Sequence, residues 1–406
     1  MNPPASPPAA ARLRSLDALR GFDMFWIIGG AELFRSFQKV SDSPFTRFLA
    51  GQLEHSDWVG VRFYDLIYPL FLFLTGAGIA FSVGKSIRQY GKGSAILRIV
   101  RRGLLLVVLG MIYSGGLTNR WPQVRLGGVL ALIGASYVLG ALIYVWLGNR
   151  PRLIAGAAGA LLALHWALLA WMPFPALRLV PATIEPLARA VGSHSPTVLL
   201  AATPGRVHGV YEHGYNFADY LDFRFLPGKK PEPYFEWEGL LSPLTAACLC
   251  LGGILAAQFL QRPDLAPARK AYWLLAGGLT LVGLGLAAGL AEPVVKKIWT
   301  SSFCLIGCGY GAGMLGAFYL AIDVWKLDRW CEPFVWIGMN PITIYLLVEL
   351  VPFDHLSARL FGGDVRAFLD GSVAAGSGSV MLAAGALGLA MAVTLFLYRK
   401  KIFLRL

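Results

Sequence analysis

The sequence has little charge for its length. Only 15% of its 406 residues are Asp, Glu, Lys or Arg, and 56% are hydrophobic, whereas a soluble domain carries roughly 25% charged residues. This deficit excludes an ordinary water-soluble globular protein, because most of the surface has to face something other than water. Apolar runs of about 18 residues or more recur along the chain, and each run predicts a transmembrane helix. We therefore expect an all-α, polytopic integral membrane helix bundle.

Several motifs of soluble enzymes are also missing. The sequence has no GxSxG nucleophile elbow, no P-loop and no GxGxxG after a strand. Its five cysteines lie in or beside apolar runs, without a CxxC pair or a disulfide framework, so we interpret them as packing residues. The segment RVHGVYEHGYNFAD holds two histidines, His208 and His213, and two carboxylates, Glu212 and Asp219, but not the HExxH pattern. For this segment we expect a hydrated loop or a substrate-contact surface, and no metal.

Acidic residues are the scarcer sign of charge, 23 against 36 Lys and Arg, which gives a formal net charge of +13. We expect no nucleic-acid partner, because basic residues in a membrane protein first set its orientation and contact anionic lipid. The tail 1–14 shows no apolar segment of the kind that a secretory signal needs, and its prolines predict disorder. The remainder, 15–406, is typical of a single transmembrane domain.

The apolar pattern predicts about ten spans. They run approximately over 17–37, 61–83, 98–116, 125–147, 152–172, 238–260, 271–290, 299–322, 332–351 and 376–397. Outside the longest loop, one side of the membrane collects 20 basic residues and the other 10, so we expect the N- and C-termini to be cytoplasmic. The long loop, 173–237, is rich in proline and aromatic residues and predicts a small ordered cap on the outer face.

The strongest candidate for chemistry is the segment EHSDWVGVRFYDLIYPLFLFLTGAGIAF, which begins at Glu54. Asp65 lies inside its apolar part, where a charge costs several kcal/mol unless it is paired or hydrated. His55 at the mouth of the span can exchange a proton near neutral pH. From the pattern, His55 is either a wet interfacial histidine or a catalytic base, and Asp65 is either neutralised by Arg62 or faces a hydrated cavity. Glu54 and Asp57 are neighbours that could orient the imidazole.

Two further groups are candidates for binding. Asp17 and Arg20 stand three residues apart at the start of the first span, and form either a helix-end ion pair or part of a path for an anionic substrate. In WIGMNPITIYLLVEL, Pro341 removes a backbone donor in mid-span, and Asn340 offers an amide beside the break. That segment is either a kinked helix with a locally satisfied backbone or the polar lining of a central cavity.

The motifs together resemble a known family. RSLDALRGFDMFWIIGG, EHSDWVGVRFYDLIYPLFLFLTG and PFVWIGMNPITIYLL, with similar segments between them, resemble the transmembrane heparan-α-glucosaminide N-acetyltransferases and their bacterial relatives. The likeness covers most of the chain in order. It implies an enzyme of a bacterial inner membrane that moves an acetyl group from cytoplasmic acetyl-CoA to an acceptor on the outer side. The implied acceptor is an amino sugar or a related glycan.

The resemblance also implies roles for single residues. The family's active histidine falls on His55, with Asp65, Glu54 or Asp57 to fix its tautomer. The candidates for holding the acetyl-CoA phosphates are Arg20 with its neighbour Asp17, and Arg98, Arg101 and Arg102 of the basic loop 85–102. The candidates for substrate binding are Asn340, Glu238, Trp299 and Asn216. The asparagine that the family's lysosomal enzyme uses near the end of the first span is missing from IIGGAELF.

Two mechanisms and two other functions stay open at this point. His55 could act as a general base toward the acceptor, or form an acetyl-imidazole intermediate. The main alternative function is a proton-coupled transporter of a sugar or small metabolite, and a third is a non-catalytic membrane scaffold. The lipid bilayer is an expected partner besides the acceptor, and a homodimer is one candidate for the assembly.

Overall fold

The computed structural model describes residues 13–118 and 120–403, so the tail predicted for 1–14 lies almost wholly outside the described residues. Arg14 is an exception, because it begins the first helix. Its guanidinium donates to Asp328 over 2.7 Å and also pairs with Glu332. Arg14 is therefore held in the bundle, while the predicted division between a tail and the domain stays a prediction.

The described chain is mainly helical. Its α-helices are Arg14–Phe25, Ala31–Ser36, Pro44–Gln52, Ile67–Tyr113, Val129–Leu147, Pro151–Trp171, Pro181–Val191, Pro196–Ala201, Phe217–Phe225, Ser242–Leu260, Pro267–Ala288, Ser301–Phe318, Glu332–Gly338, Pro341–Leu350, Phe353–Phe361, Asp364–Ser372 and Ser377–Arg399. Single π-helical or 3-10 turns are Trp26–Gly30, Phe37–Lys39, Phe63–Leu66, Gly116–Thr118, Trp121–Gln123 and Tyr319–Val324. Short antiparallel strands pair Phe174–Pro175 with Arg206–Val207, and Tyr211–Glu212 with Tyr215–Asn216.

Seven of the described helical segments are long and apolar enough to cross a membrane. They are Phe63–Ile87, Val129–Leu147, Pro151–Trp171, Ser242–Leu260, Pro267–Ala288, Ser301–Val324 and Ser377–Arg399. The helices before and after Asn340 meet at 80° and make an eighth candidate, bent at the predicted Pro341 break. The predicted spans 17–37 and 98–116 are also largely helical. The structure thus fits a membrane helix bundle, while ten spans and cytoplasmic termini stay predictions.

The basic segment 85–102 is helical, although the span pattern predicted much of it as a loop. The Ile67–Tyr113 helix reverses at Gly91, whose φ of 79° and ψ of 167° are open to glycine and strained for other residues. Ser86 lies before this turn and Arg98 after it, and Arg98 Nη1 donates to Ser86 Oγ over 3.2 Å. A straight helix would separate residues 86 and 98 by about 18 Å along its axis. The chain therefore turns back at Gly91 as a hairpin, which brings Ser86 on one arm against the basic residue Arg98 on the other.

Glycines let the central helices touch backbone to backbone. A Cβ at Gly76 would overlap the Cys250 carbonyl, and a Cβ at Gly253 would overlap the Phe73 carbonyl. These contacts join the Ile67–Tyr113 and Ser242–Leu260 helices into the centre of the bundle. Close approach through small residues is how helices associate in lipid, where apolar side chains gain little by leaving the solvent.

The 173–237 segment folds into short helices and strands with a core of its own, which includes Ile184, Phe223 and Phe235. A second apolar cluster joins this segment to the bundle through Phe174, Phe217 and Ile298. At the same junction, Trp58 Nε1 donates to the Tyr211 carbonyl over 2.6 Å. The segment therefore covers the end of the bundle where His55 lies; its position outside the membrane stays a prediction.

Candidate active site

A tight turn holds Asp65 at the entrance of a long helix. Its carboxylate is 0% exposed and accepts from the backbone N–H groups of Ser56 (3.1 Å) and Arg62 (3.0 Å) through Oδ2. The Arg62 side chain closes the turn by donating to the His55 carbonyl over 3.1 Å. Gly60, with φ of 114°, supplies a conformation that other residues rarely adopt. The turn from 55 to 65 thus returns the histidine to the aspartate ten residues later.

The other carboxylate oxygen of Asp65 meets two side chains. Its Oδ1 lies 2.8 Å from His55 Nδ1 and 3.2 Å from Lys296 Nζ. Lys296 Nζ is also 2.9 Å from the same imidazole nitrogen. Two oxygens that accept from four donors leave no room for a proton, so we treat Asp65 as ionised. Because a carboxylate only accepts, a hydrogen bond across the 2.8 Å contact places the proton on His55 Nδ1 and leaves the lone pair on Nε2. In this tautomer Nδ1 cannot also accept, so Lys296 acts on the imidazole through its charge and donates to Asp65.

Backbone pairing brings Lys296 to this position. Val59 and Val295 form an isolated antiparallel bridge, and the Gly60 N–H donates to the Val294 carbonyl over 2.8 Å. Trp299 then folds the loop back by donating its N–H to the Lys296 carbonyl over 2.9 Å, with a positive φ of 52°. A left-handed tryptophan costs on the order of 1–3 kcal/mol and persists only where the surroundings hold it.

His55 opens onto a cavity of about 570 Å³, which we call the histidine cavity. Its polar and charged lining comprises Ser56, Asp57, Tyr64, Tyr68, Tyr113, Arg125, Glu238, Lys296, Lys297 and Tyr345. The remaining walls are mostly apolar, with Trp299 buried at 1% exposure and packed edge-on against Tyr68. The imidazole is 54% exposed, so it reaches the cavity without being sealed inside the protein.

Arg125, which lines the same cavity, pairs with two carboxylates. Its Nε donates to Glu236 over 2.9 Å, and its Nη2 donates to Glu238 over 3.3 Å. Glu236 is 0% exposed at its side chain, whereas Glu238 lines the cavity. Burial raises the pKa of Glu238, the charge of Glu236 raises it further, and Arg125 lowers it in part. Glu238 can therefore change its protonation state more readily than an exposed glutamate near neutral pH.

Two further cavities lie next to one another between the histidine cavity and the other end of the bundle. A middle cavity of about 350 Å³ shares Phe71, Ile133 and Ile342 with it. An arginine cavity of about 410 Å³ shares Ser82 and Arg102 with the middle one. Ile67, in the first cavity, and Ser82 are 15 residues apart on one helix, or about 22 Å. The three cavities thus form a series with the histidine and the arginines at opposite ends.

The predicted phosphate-binding residues line this series. Arg98, Arg101 and Arg102 border the arginine cavity, and Arg20 borders the middle one. Asp17 lies 3.5 Å from Arg20 and forms the expected helix-end pair. The buried Nε of Arg102 makes no hydrogen bond within the part of the chain that the structure describes. An unsatisfied buried donor in a basic cavity suits an anionic ligand.

The structure brings some predicted site residues together and leaves others apart. His55, Asp57, Glu238 and Trp299 line the histidine cavity, and Asp65 contacts His55. Glu54 instead points into a separate exposed groove, with its carboxylate 3.6 Å from the Arg62 guanidinium.

Two predicted substrate-binding amides have structural partners instead. Asn216 caps the Phe217–Phe225 helix by accepting from the Asp219 N–H over 2.9 Å, and its amide group donates to the Glu212 carbonyl over 2.9 Å. Asn340 donates to the Ile402 carbonyl over 2.9 Å; its neighbours line the middle cavity, but Asn340 is not among the lining residues.

Lys296 and Arg125 were missed by the sequence reasoning. Lys296 stands in VVKKIWT, where neither lysine is marked as the one that turns inward, and its partner is 241 residues away. Arg125 stands beside a glycine pair in VRLGG, a usable sign of a close-packed turn. Within residues 13–118 and 120–403, no three His, Cys, Asp or Glu side chains converge as metal ligands would, and the absence of a metal stays a prediction.

The comparisons agree with the resemblance seen in the motifs. Residues 12–188 match the family model described as heparan-alpha-glucosaminide N-acetyltransferase, catalytic. The chain is 25% identical to heparan-alpha-glucosaminide N-acetyltransferase of Mus musculus, over 84% of this chain and 54% of the relative. It is 26% identical to the Homo sapiens protein of the same name, over 82% and 52%. The chain spans about half the length of the curated relatives it matches.

Proposed function

We propose that the chain transfers an acetyl group from acetyl-CoA to an amino sugar or related glycan acceptor, a proposal supported by its similarity to the heparan-alpha-glucosaminide N-acetyltransferases. The observation that carries the proposal is the series of cavities from the arginines to His55. It suits a donor with a polyanionic end and a long thin arm. We propose that Arg98, Arg101 and Arg102 bind the phosphates, and that the arm passes Arg20.

In the proposed reaction, His55 is the general base. Its Nε2 lone pair takes a proton from the acceptor amine as the nitrogen attacks the thioester carbonyl. The C–N bond forms, the C–S bond breaks, and the imidazolium returns the proton to the departing thiolate of CoA. Asp65 holds the proton on Nδ1 and stabilises the imidazolium while it exists. Glu238 would hold the acceptor ammonium, which first gives one proton to solvent water and becomes the attacking amine; His55 takes the second proton during the attack.

The proposed setting is the inner membrane of a bacterium, with the donor on the cytoplasmic side and the acceptor on the other. Glucosamine-type acceptors fit the proposal because the histidine cavity offers both a carboxylate and several tyrosines for hydroxyl groups. The 173–237 segment would then cover the acceptor side. Shielding of the thioester from bulk water would limit hydrolysis of the donor.

The test uses purified protein in detergent with radiolabelled acetyl-CoA and glucosamine. We expect acetylated product from the unaltered protein, none from His55→Ala, and unchanged product from His355→Ala, whose imidazole is 78% exposed on another helix. Acetyl-CoA should also raise the thermal midpoint, since a ligand of the native state stabilises it. If the unaltered protein forms no product and acetyl-CoA does not raise its thermal midpoint, the proposal is contradicted and the transporter alternative is favoured.

A further inference from the structure

Lys296 contacts both members of the His55–Asp65 pair, and its neighbour in sequence does not. Its Nζ lies 2.9 Å from His55 Nδ1 and 3.2 Å from Asp65 Oδ1. The Lys296 side chain is 17% exposed, in contrast to the 54% of the imidazole. Lys297 also lines the cavity but stacks its ammonium on Trp237, 5.1 Å from the ring centre. The backbone bridge at Val295 fixes which of the two lysines turns inward.

The charge of Lys296 opposes the effect of the Asp65 charge on the protonation of the imidazole. A carboxylate alone beside an imidazole favours the imidazolium, which cannot accept a proton. An ammonium at 2.9 Å from the same nitrogen disfavours that second positive charge. Burial lowers the pKa of Lys296, while the charge of Asp65 raises it and helps to keep the ammonium protonated. The three groups together carry no net charge when the imidazole is neutral.

We propose that Lys296 is a positioning residue that keeps His55 neutral, with Nε2 unprotonated and directed to the cavity near neutral pH. Charged and titratable groups also contact the imidazole or share its turn and cavity. They are Glu54, Asp57, Arg62, Tyr64, Asp65, Tyr68, Tyr113, Arg125, Glu238, Lys296, Lys297 and Tyr345. Of the cations in this set, Lys296 places its side-chain nitrogen 2.9 Å from the imidazole Nδ1, where it acts through its charge because Nδ1 already donates to Asp65. The proposal depends on the proposed function only for its effect on catalysis.

The primary test measures the protonation of His55 directly. Diethyl pyrocarbonate modifies only the unprotonated imidazole, and mass spectrometry follows the modification rate at His55 against pH, with His355 as the internal reference. In Lys296→Met we expect the midpoint at His55 to move to higher pH by about 1–2 units, as for removal of a like charge within 4–6 Å. The midpoint at His355 should not move. This measurement needs no substrate and is valid whether or not the protein transfers acetyl groups.

A charge-restoring control keeps the test interpretable if Lys296→Met folds poorly. In Lys296→Cys, aminoethyl methanethiosulfonate adds an ammonium, and the propyl reagent adds a neutral chain of similar size. The native cysteines are buried. We expect the aminoethyl product and Lys296→Arg to return the His55 midpoint toward its original pH, and the propyl product to leave it raised. Equal midpoints for the two products would overturn the proposal.

If the proposed acetyl transfer is observed, a second readout separates charge from structure. The acid limb of the pH–rate profile should move upward in Lys296→Met by the same interval, and activity should recover at high pH. A loss of activity that is equal at every pH would contradict the proposed role of the charge. Absence of transfer in the unaltered protein would contradict the proposed function alone, because the modification midpoint is measured independently.

Discussion

The sharpest prediction concerns Asp65→Asn, because the substitution keeps the shape of the side chain and changes its bonding. The carboxylate accepts at both oxygens, whereas an amide has one acceptor and one donor group. The Oδ2 position faces two backbone N–H groups, and the Oδ1 position faces His55 and Lys296. The amide oxygen can serve only one of these sides.

We expect the amide oxygen to face the two backbone N–H groups. Placing the amide NH₂ against the N–H groups of Ser56 and Arg62 would leave two donors unsatisfied, at about 1–3 kcal/mol each. With the oxygen on that side, the NH₂ faces His55 Nδ1, which must then accept. The proton moves to Nε2, and the base loses the lone pair that the reaction uses. We expect the acetylation rate to fall about 10²–10⁴-fold, the usual range for a positioned general base.

The assay compares initial acetylation rates and thermal midpoints of Asp65→Asn with those of the unaltered protein. Loss of two contacts with charged or imidazole donors should also lower the stability by about 1.5–3 kcal/mol, which remains compatible with a folded protein. Asp354→Asn is the matched control, since that carboxylate is 77% exposed on another helix. If Asp65→Asn retained more than about a tenth of the activity while His55→Ala abolished it, the tautomer argument would be refuted.

Three further predictions test the proposed binding groups and the cap. Glu238→Gln should raise the KM for an amine acceptor about tenfold through loss of a charge-assisted hydrogen bond, without changing the KM for acetyl-CoA, as initial rates will show. Arg102→Gln should weaken acetyl-CoA binding about tenfold or more and reduce its salt dependence in titrations at two ionic strengths, with exposed Arg359→Gln as the control. Burial raises the pKa of Asp222 to about 7. Burial favours the neutral carboxyl group, so its contribution to the free energy of unfolding is complete below the unfolded pKa of about 3.9 and is lost as pH rises through 7. The free energy of unfolding should therefore fall by about 2–4 kcal/mol between those pH values. Asp222→Asn should remove that part of the pH dependence of the thermal midpoint.

The class of fold was predictable because apolar length is a direct consequence of the bilayer. Seven long helices and the bent pair at Pro341 coincide with predicted spans. The hairpin at Gly91 was not predictable in the same way, because charged residues on its arms resemble those of a solvated loop. A hydropathy pattern reflects the free-energy cost of moving side chains out of water. The basic side chains of a helix that lines a cavity can stay hydrated, so hydropathy does not distinguish this helix from a loop.

The site was partly predictable for a similar reason. His55 and Asp65 come from one local turn, so a single stretch of sequence contains both. Lys296 reaches them through tertiary pairing across 241 residues, which no local pattern encodes. Asn216 followed three residues later by Asp219 also fits a helix-capping signature, and the structure shows that cap, while its predicted contact with a substrate stays a prediction.

The location of the polar site at the end of the bundle follows from charge balance. An ionised Asp65 with no exposed surface is costly in an apolar setting unless its charge is compensated. The compensation comes from two backbone N–H groups in its own turn and from Lys296 in a distant loop. A helix interior could offer neither, because its N–H groups are already bonded. The histidine pair therefore requires a helix start that a second loop can reach, and the bridge between Val59 and Val295 makes that approach part of the fold.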